Sequence, residues 1–229
     1  MKKQAYFTLF IVAVAALCVP YTSNAAILRV DVNGLMTPDG MSWETAYHDI
    51  PSALMAAMPA DEIWVARGTY VKGAGSRVVE ITTNVEIYGG FAATEAAREE
   101  RDPIVNTTSI DGAFGYPCVS IFSTAVLDGF TFENGYAPAE DGAGVLVSAP
   151  GVLIANCIFY NNESMLKGGG LSVDGVDCTI INCSFLNNKA PYGSAISHIH
   201  GTKAFGSTST MINCLFVDNN AFTSGIVFN

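Results

Sequence analysis

The sequence has few basic residues. Lys and Arg together number 11 against 21 Asp and Glu, which gives a formal net charge of −10. An acidic surface repels phosphate backbones, so this charge argues against nucleic acid as a partner. Basic side chains are also scattered in the second half of the chain, where we find no Arg or Lys beside a cluster of acids.

The N-terminal apolar run is too short to cross a membrane. It covers fourteen residues, from Tyr6 to Val19, whereas a spanning helix needs about 20. Lys2 and Lys3 precede it and a small-residue site at 23–25 follows, which is the pattern of a secretory signal peptide. We therefore expect residues 1–25 to be removed and the protein to be secreted or associated with the outer membrane or cell envelope, with no membrane-spanning segment in the mature chain.

Removal of that peptide would take away two lysines and no acid, so the charge would become 9 − 21 = −12. No proline-rich or serine-rich linker divides the remaining residues, and one domain is the simplest interpretation. The chain also lacks the heptad or 3.6-residue periodicity of helical solenoids and the leucine spacing of leucine-rich repeats.

Cysteine is scarce. Five cysteines remain after residue 25, and an odd number in an exported protein argues against a complete disulfide framework. Three of them occupy the same place in successive repeats, which indicates packing as small buried hydrophobes. Pairing of Cys178 with Cys183 stays open at this point.

The second half of the chain is a repeat array. Segments 156–162, 182–188 and 213–219 share one pattern, and their phenylalanines are 26 and 31 residues apart. In a degenerate copy at 128–134, Phe132 lies 27 residues upstream of Phe159. This period is typical of a solenoid in which each repeat forms one coil.

Alternation within each repeat predicts a strand with the cysteine and phenylalanine on the inner face. The following asparagines would end the strand and stack in a ladder along the axis. Small-residue corners come 10 to 13 residues after each phenylalanine and lead into the next strand. The structural repeat positions are Cys157, Phe159, Asn161, Gly169, Cys183, Phe185, Asn187, Gly193, Cys214 and Phe216. These features predict an all-β fold, a parallel β-helix solenoid.

The first half is less periodic. Residues 26–60 are interpreted as an N-terminal cap with a short helix, entered from Ser42 or Asp49 and stopped by Pro59. Strands are predicted at 61–66, 85–91 and 118–122, and the charged segment 95–101 is placed outside the stack. The β-helix then covers 61–229 and is truncated at its C-terminus, so we expect either a fragment of a longer protein or a short member with an open last coil.

No constellation of catalytic residues emerges from the repeats. The adjacent acids Glu140 and Asp141 and the acids Asp174 and Asp177 suit solvated turns. The segment 198–200 carries two histidines that could face one way on a strand, but zinc needs further ligands. Residues 31–39 hold oxygen ligands without the full calcium-loop pattern and are interpreted as turns. We predict no catalytic, cofactor-binding or metal residue.

Residues 39–47, 60–70 and 87–91, together with 101–103 and the later repeats, carry a resemblance. The chain resembles secreted bacterial right-handed parallel β-helix proteins whose repeats are similar to those of chlamydial polymorphic outer-membrane proteins. This resemblance implies a pectin-lyase-like fold and an adhesin-like role in contact with surface glycans or with host or cell-surface proteins. The alternative is a polysaccharide lyase or glycoside hydrolase of the same fold, and whether the protein is an enzyme stays open, with the residues leaning against it.

Overall fold

The computed structural model describes residues 25–35, 38–72, 76–199 and 209–228. Within these ranges the chain winds into stacked coils whose strands pair in parallel, so the predicted parallel β-helix is confirmed. Residues 1–24 of the expected signal peptide, which covers 1–25, lie outside the described residues, and the signal peptide stays a prediction.

The first turn holds β1 (Ile27–Leu35) and helix α1 (Ile50–Ala56). Two coils follow, with β2 (Glu62–Ala66), β3 (Gly68–Val71) and β4 (Val79–Ile81), then β5 (Val85–Phe91), a 3₁₀-helix (Arg98–Glu100), β6 (Thr108–Asp111) and β7 (Val119–Ile121). The four-strand coils are β8 (Ala125–Asp128), β9 (Phe130–Glu133), β10 (Tyr136–Ala137) and β11 (Val145–Val147); β12 (Val152–Ala155), β13 (Ile158–Tyr160), β14 (Glu163–Ser164) and β15 (Leu171–Asp174); β16 (Cys178–Ile181), β17 (Ser184–Leu186), β18 (Lys189–Tyr192) and β19 (Ile196–Ile199); and β20 (Ser209–Ile212), β21 (Leu215–Val217), β22 (Asn220–Ser224) and β23 (Val227–Phe228).

These strands form four sheets that run along the solenoid axis. Sheet A is β1-β2-β5-β8-β12-β16-β20, sheet B is β3-β6-β9-β13-β17-β21, sheet C is β4-β7-β11-β15-β19-β23 and sheet D is β10-β14-β18-β22. A complete coil passes through A, B, D and C in turn. The predicted strands at 61–66, 85–91 and 118–122 correspond to β2, β5 and β7.

Phenylalanine rings stack along the interior of sheet B. Phe159 lies in register with Phe132 on one side and with Phe185 on the other. Ring centroids are 5.0 Å apart from Phe132 to Phe159, 4.4 Å from Phe159 to Phe185 and 5.2 Å from Phe185 to Phe216. Offset and stacked rings at such distances add to the stability gained by burial. The repeat phenylalanines therefore form one continuous interior column.

An asparagine follows Phe159, Phe185 and Phe216 by three residues and satisfies backbone groups at the corner between sheets B and D. Asn162 donates from Nδ2 to the Phe132 carbonyl (2.9 Å) and to Asn188 Oδ1 (3.0 Å), and its own Oδ1 accepts from the Gly135 N–H (2.8 Å). Asn188 repeats this pattern with Asn219 one coil further on (3.0 Å). We call Asn162, Asn188 and Asn219 the inner ladder. It carries the hydrogen bonds that the turning backbone cannot make with itself.

A second ladder lies at the same corner between sheets B and D, on its solvent side. It is formed by the neighbouring asparagines Asn134, Asn161 and Asn187. Their backbones are left-handed, with φ of 52°, 57° and 57°. Nδ2 of Asn187 donates to Asn161 (3.2 Å), and Nδ2 of Asn161 donates to Asn134 (2.9 Å). Asparagine tolerates this conformation better than most residues, which explains why it recurs here.

The glycine corners bring backbones into close contact. A Cβ on Gly169 would lie 2.3 Å from the Lys189 carbonyl oxygen, and Gly193 has φ of 56°. Neither position accommodates a larger side chain without moving the coil. The glycines predicted as repeat positions therefore shape the corners that lead into sheet C.

Helix α1 covers the first coils. It begins after Asp49, whose side chain accepts from the Ser52 N–H (2.7 Å), and it buries Ile50, Ala53 and Leu54. Of the two predicted starting points, Asp49 is therefore the observed cap, while Ser42 bonds Thr45 in a preceding turn. β1 pairs in parallel with β2, so the segment before residue 61 also contributes a strand to sheet A.

A second, smaller core lies outside sheet A. Trp64, Tyr88 and Phe91 are buried there, and Trp43 packs against them. The Phe91 ring is 4.8 Å from that of Trp64 and 5.6 Å from that of Trp43. This cluster, which we call the satellite core, holds residues 92–107 against the solenoid, because Trp43 Nε1 donates to the Glu95 carbonyl (2.9 Å).

Residues 92–107, called here the A–B loop, replace the short corner between sheets A and B in the second coil. The Asp102 N–H donates to the Gly90 carbonyl (2.9 Å), and Arg101 Nη1 donates to the Gly89 carbonyl (3.0 Å). Gly90 has φ of +96°, and a Cβ there would lie 2.7 Å from the Pro103 backbone. The loop is thus anchored at both its backbone and its side chains.

Replacement of Phe159 by alanine tests the interior column. Phe159 is fully buried between two rings, so we expect Phe159→Ala to lower the free energy of unfolding by about 3–5 kcal/mol in denaturant titrations. Tyr160→Ala on the same strand is the control, because this side chain is 43% exposed, and we expect a change of about 0.5 kcal/mol. Equal effects of the two variants would contradict an interior column.

An acid in the inner ladder should make stability depend on pH. In Asn188→Asp one carboxyl oxygen replaces an N–H that donates to the Phe159 carbonyl (2.9 Å), so only the protonated acid can donate there. The folded pKa is then raised above the unfolded value of about 3.9, and the folded state binds more protons. We expect the unfolding free energy to fall as pH rises above about 4.

The measurement is a series of denaturation midpoints against pH, with Asn187→Asp as the matched control. Asn187 is exposed in the same coil, so its carboxylate stays solvated. Parallel pH profiles for the two variants would show that Asn188 is not a buried donor.

Gly90→Ala tests the anchoring of the A–B loop. The strained φ and the clash with Pro103 predict a loss of about 1–3 kcal/mol and faster proteolysis within residues 98–106. Gly115→Ala is the control, because the nearest atom to its added Cβ lies 3.9 Å away. A Gly90→Ala protein as stable and as protease-resistant as the control would refute this account.

Candidate functional site

A cleft of about 990 Å³ lies between the A–B loop and the outward face of sheet B. The loop forms one wall, and strands β9, β13 and β17 form the floor. Its lining residues are Arg98, Glu99, Glu100, Arg101, Asp102, Pro103, Ile104, Thr107, Thr131, Asn156, Cys157, Ile158, Asn182 and Ser184.

The floor of the cleft is periodic. Thr131, Ile158 and Ser184 occupy the same register on three successive strands. Parallel strands lie about 4.8 Å apart, so equivalent side chains recur at that interval along the axis. Tyr160 lies two residues beyond Ile158 on the same outward face and is 43% exposed. A floor of this kind suits an extended polymer better than a compact small molecule.

A third asparagine ladder edges the floor at the corner between sheets A and B. Asn156, Asn182 and Asn213 have left-handed backbones with φ of 52°, 55° and 52°. Asn213 donates from Nδ2 to Asn182 Oδ1 (2.8 Å), and Asn182 donates to Asn156 Oδ1 (3.2 Å). Asn156 then donates to Asp128 Oδ1 (2.9 Å). We call these residues, with Asp128 at the end, the outer ladder.

The ladder leaves hydrogen-bonding capacity facing solvent. A primary amide has two N–H donors and two acceptor lone pairs, and each ladder bond uses one donor or one acceptor. Asn156 and Asn182 are exposed, and each therefore presents a donor and an acceptor at the edge of the cleft. With the hydroxyls of Thr107, Thr131 and Ser184, the lining is rich in groups that both donate and accept.

Four of the five charged side chains that line the cleft are engaged within the protein, and the fifth, Glu99, is 78% exposed. Arg101 pairs with Asp128 (2.9 Å), and Arg98 pairs with Glu62 (3.1 Å). The carboxylate of Asp102 accepts from the N–H groups of residues 104 and 105, and that of Glu100 accepts from those of residues 96 and 97. These bonds shape the loop rather than leave charges available for a reaction.

The residues predicted as repeat positions mostly build the solenoid beneath the cleft. Phe159 and Phe185 lie in the interior column, and Gly169 and Gly193 form the corners toward sheet C. Cys157 is 1% exposed and lies beneath the cleft floor. Asn161 and Asn187 lie at the other edge of sheet B, at the corner with sheet D.

The five described cysteines are free thiols, Cys178 and Cys183 included. Burial raises the pKa of the Cys178 thiol to about 12 and that of the Cys157 thiol well above its usual value. A hydrogen bond from Cys157 lowers the pKa of Cys183. Cys157 and Cys183 thus pack as neighbouring thiols in successive coils.

The described residues include His198 and the calcium candidates Asp31 and Asp39. His198 lies in β19 and is 7% exposed, while His200 falls outside the described residues. Asp31 and Asp39 each accept a hydrogen bond from the backbone N–H two residues on (2.9 Å each), as turn residues do. Among the residues that the structure describes, no three His, Cys, Asp or Glu side chains are grouped so that they could hold a metal ion.

The acids singled out by sequence lie near sheet C, away from the cleft. Glu140 pairs with Arg77 (3.2 Å). Asp141 is partly buried, and desolvation raises the pKa of its carboxyl against the opposing effect of Lys167. The two acids therefore differ in environment.

Sequence reasoning placed an asparagine ladder at the strand end but assigned no role to Asn156 and Asn182. Their signal was present, because an asparagine opens each repeat two residues before the first strand position. The wall of the cleft had no comparable signal, since the sequence of residues 95–101 indicated only a charged segment outside the stack.

No helix in the described part of the chain is long and apolar enough to span a membrane.

Comparisons with known proteins bear on the fold. No curated protein matches the chain. Among solved structures, it is similar to the pectin methylesterase from Aspergillus niger in deglycosylated form, with 12% identity, 91% of each chain covered and a TM-score of 0.27. A likeness this weak carries no argument about activity. Residues 67–229 match the family described as the right handed beta helix region, and the chain belongs to that family.

Proposed function

We propose that this protein is an exported, non-catalytic β-helix that binds a glycan at a cell surface and so serves adhesion. The observation that carries the proposal is the cleft along sheet B, whose exposed amides and hydroxyls face outward while both of its arginines are paired with carboxylates. Sugar hydroxyls both donate and accept, and such a lining matches them. The signal-peptide pattern of residues 1–25 supports export, and the resemblance to chlamydial outer-membrane repeats supports a bacterial cell envelope as the location.

A glycan fits this cleft better than an extended polypeptide does. Peptide strands are commonly bound by adding to a sheet edge, where free backbone groups supply the hydrogen bonds. The cleft lies over the face of sheet B instead, and the backbones of β9, β13 and β17 pair with one another there. Side-chain amides and hydroxyls, with Ile158 as an apolar surface, are left to recognise the ligand.

Asn182→Gly tests whether the amides of the outer ladder bind the glycan. Glycine keeps the left-handed backbone and removes only the amide. We expect binding to the best glycan of an array to weaken about threefold to tenfold, the effect of one lost hydrogen bond. Binding is measured by titration of the purified chain without residues 1–25.

Asn187→Gly is the matched control. It has the same backbone conformation, exposure and coil as Asn182, but lies at the other edge of sheet B. We expect it to leave affinity unchanged. Equal losses of affinity in both variants would show that the glycan does not bind at the outer ladder. If the array shows no bound glycan, the proposal is wrong.

The second candidate function is a polysaccharide lyase or glycoside hydrolase, and Asp141 favours it. A carboxyl with a raised pKa can hold a proton and act as a general acid. If so, the chain should release reducing ends or unsaturated products from a polysaccharide panel, with or without calcium. Asp141→Asn should then lower the rate about a hundredfold or more. If no polysaccharide of the panel yields such products, this candidate function is wrong.

A further inference from the structure

We infer that the cleft selects an uncharged glycan and that Asp128 sets this selectivity by neutralising Arg101. The inference rests on the proposed function, because it assumes that the cleft binds a glycan.

One carboxylate oxygen of Asp128 accepts two hydrogen bonds. Its Oδ1 accepts from Arg101 Nη2 (2.9 Å) and from Asn156 Nδ2 (2.9 Å). The side chains of Arg101 and Asp128 are 14% and 15% exposed, so the pair is largely screened from water. A charge pair that is this well buried and bonded holds its geometry better than a solvated one.

The carboxylate also fixes the direction of the outer ladder. It can only accept, so Asn156 must turn its Nδ2 toward Asp128, and Asn182 must then turn its Nδ2 toward Asn156. Each amide is left with one N–H and one lone pair for a ligand. A hydroxyl uses both, whereas a carboxylate on the ligand uses only the N–H and faces the amide oxygen.

The remaining charges of the cleft oppose an anionic polymer. Two arginines and three acids line it, which gives 2 − 3 = −1, and Asp128 behind Arg101 adds another negative charge. Arg98 is already bonded to Glu62 (3.1 Å) and lies 3.6 Å from Glu86. An entering uronate would therefore meet no uncompensated cation among these residues, and the whole chain carries a net charge of −10.

A cationic polymer would find one largely exposed acid in the cleft, Glu99, which is 78% exposed and lies 4.0 Å from Arg98. The carboxylates of Asp102 and Glu100 accept hydrogen bonds from N–H groups of the A–B loop. Binding an ammonium group there would compete with the bonds that shape the wall. The chemistry that fits without such competition is a polymer of hydroxyl groups at regular spacing.

The experiment compares retention on neutral glucan, mannan and xylan with retention on polygalacturonate, alginate and chitosan. The wild-type chain should bind one or more neutral polymers, and this binding should not change across a salt series. Asp128→Asn keeps the size of the side chain and an acceptor for Asn156 but leaves Arg101 without its counter-charge. We expect it to gain tenfold or more in affinity for polygalacturonate or alginate.

Glu163→Gln is the matched control, because Glu163 pairs with Lys189 (3.9 Å) on sheet D and its substitution changes the net charge equally. It should gain nothing for uronates. The double variant Arg101→Gln with Asp128→Asn should lose the gain. Thermal unfolding of each variant establishes that it is folded.

The outcomes separate the inference from the function. Binding to no glycan refutes the proposed function and this inference with it. Wild-type binding to uronates or chitosan as tight as to neutral polymers overturns the inference and leaves the function standing. An equal gain in Glu163→Gln assigns selectivity to net charge and overturns the role of Asp128. If Asp128→Asn unfolds while the double variant folds, the pair is structural, and that role is also overturned.

Discussion

In-register parallel pairing is the constraint on which the rest of this structure depends. Each strand of sheet B lies beside its equivalent in the next coil, so Phe159 meets Phe132 and Phe185. A slip of one residue would turn the rings outward and the polar positions inward, because side chains alternate along a strand. The same pairing stacks the asparagines, so the interior column and the three ladders are consequences of one register.

Function in such a solenoid is built where the coil departs from the repeat. Later coils turn from sheet A to sheet B through one glycine or an Asn-Cys pair, whereas the second coil inserts residues 92–107. The satellite core of Trp43, Trp64 and Phe91 stabilises this insertion, which would otherwise be an exposed loop. The short corners of the following coils leave room for the A–B loop to lean over them. A cleft results from one long corner beside several short ones.

Electrostatics distinguishes the two polar regions of the molecule. In the cleft, both arginines are paired with carboxylates, and amides and hydroxyls remain to contact a ligand. Near sheet C, desolvation changes the proton affinity of Asp141 instead. The first arrangement favours recognition of hydroxyl groups, and the second is the observation behind the alternative of acid catalysis.

The sequence by itself determined the coil: spacing of phenylalanines, alternation within repeats, and glycine or asparagine at left-handed corners are local properties, and they predicted the β-helix and its strands. β1, β3, β4 and β6 were not predicted, because the first half of the chain has no clear repeat in its sequence. The cleft was decided by tertiary structure alone. Arg101 and Asp128 are 27 residues apart, and only the stacking of coils, held by the satellite core, brings that charge pair and the amides of Asn156 and Asn182 to one surface.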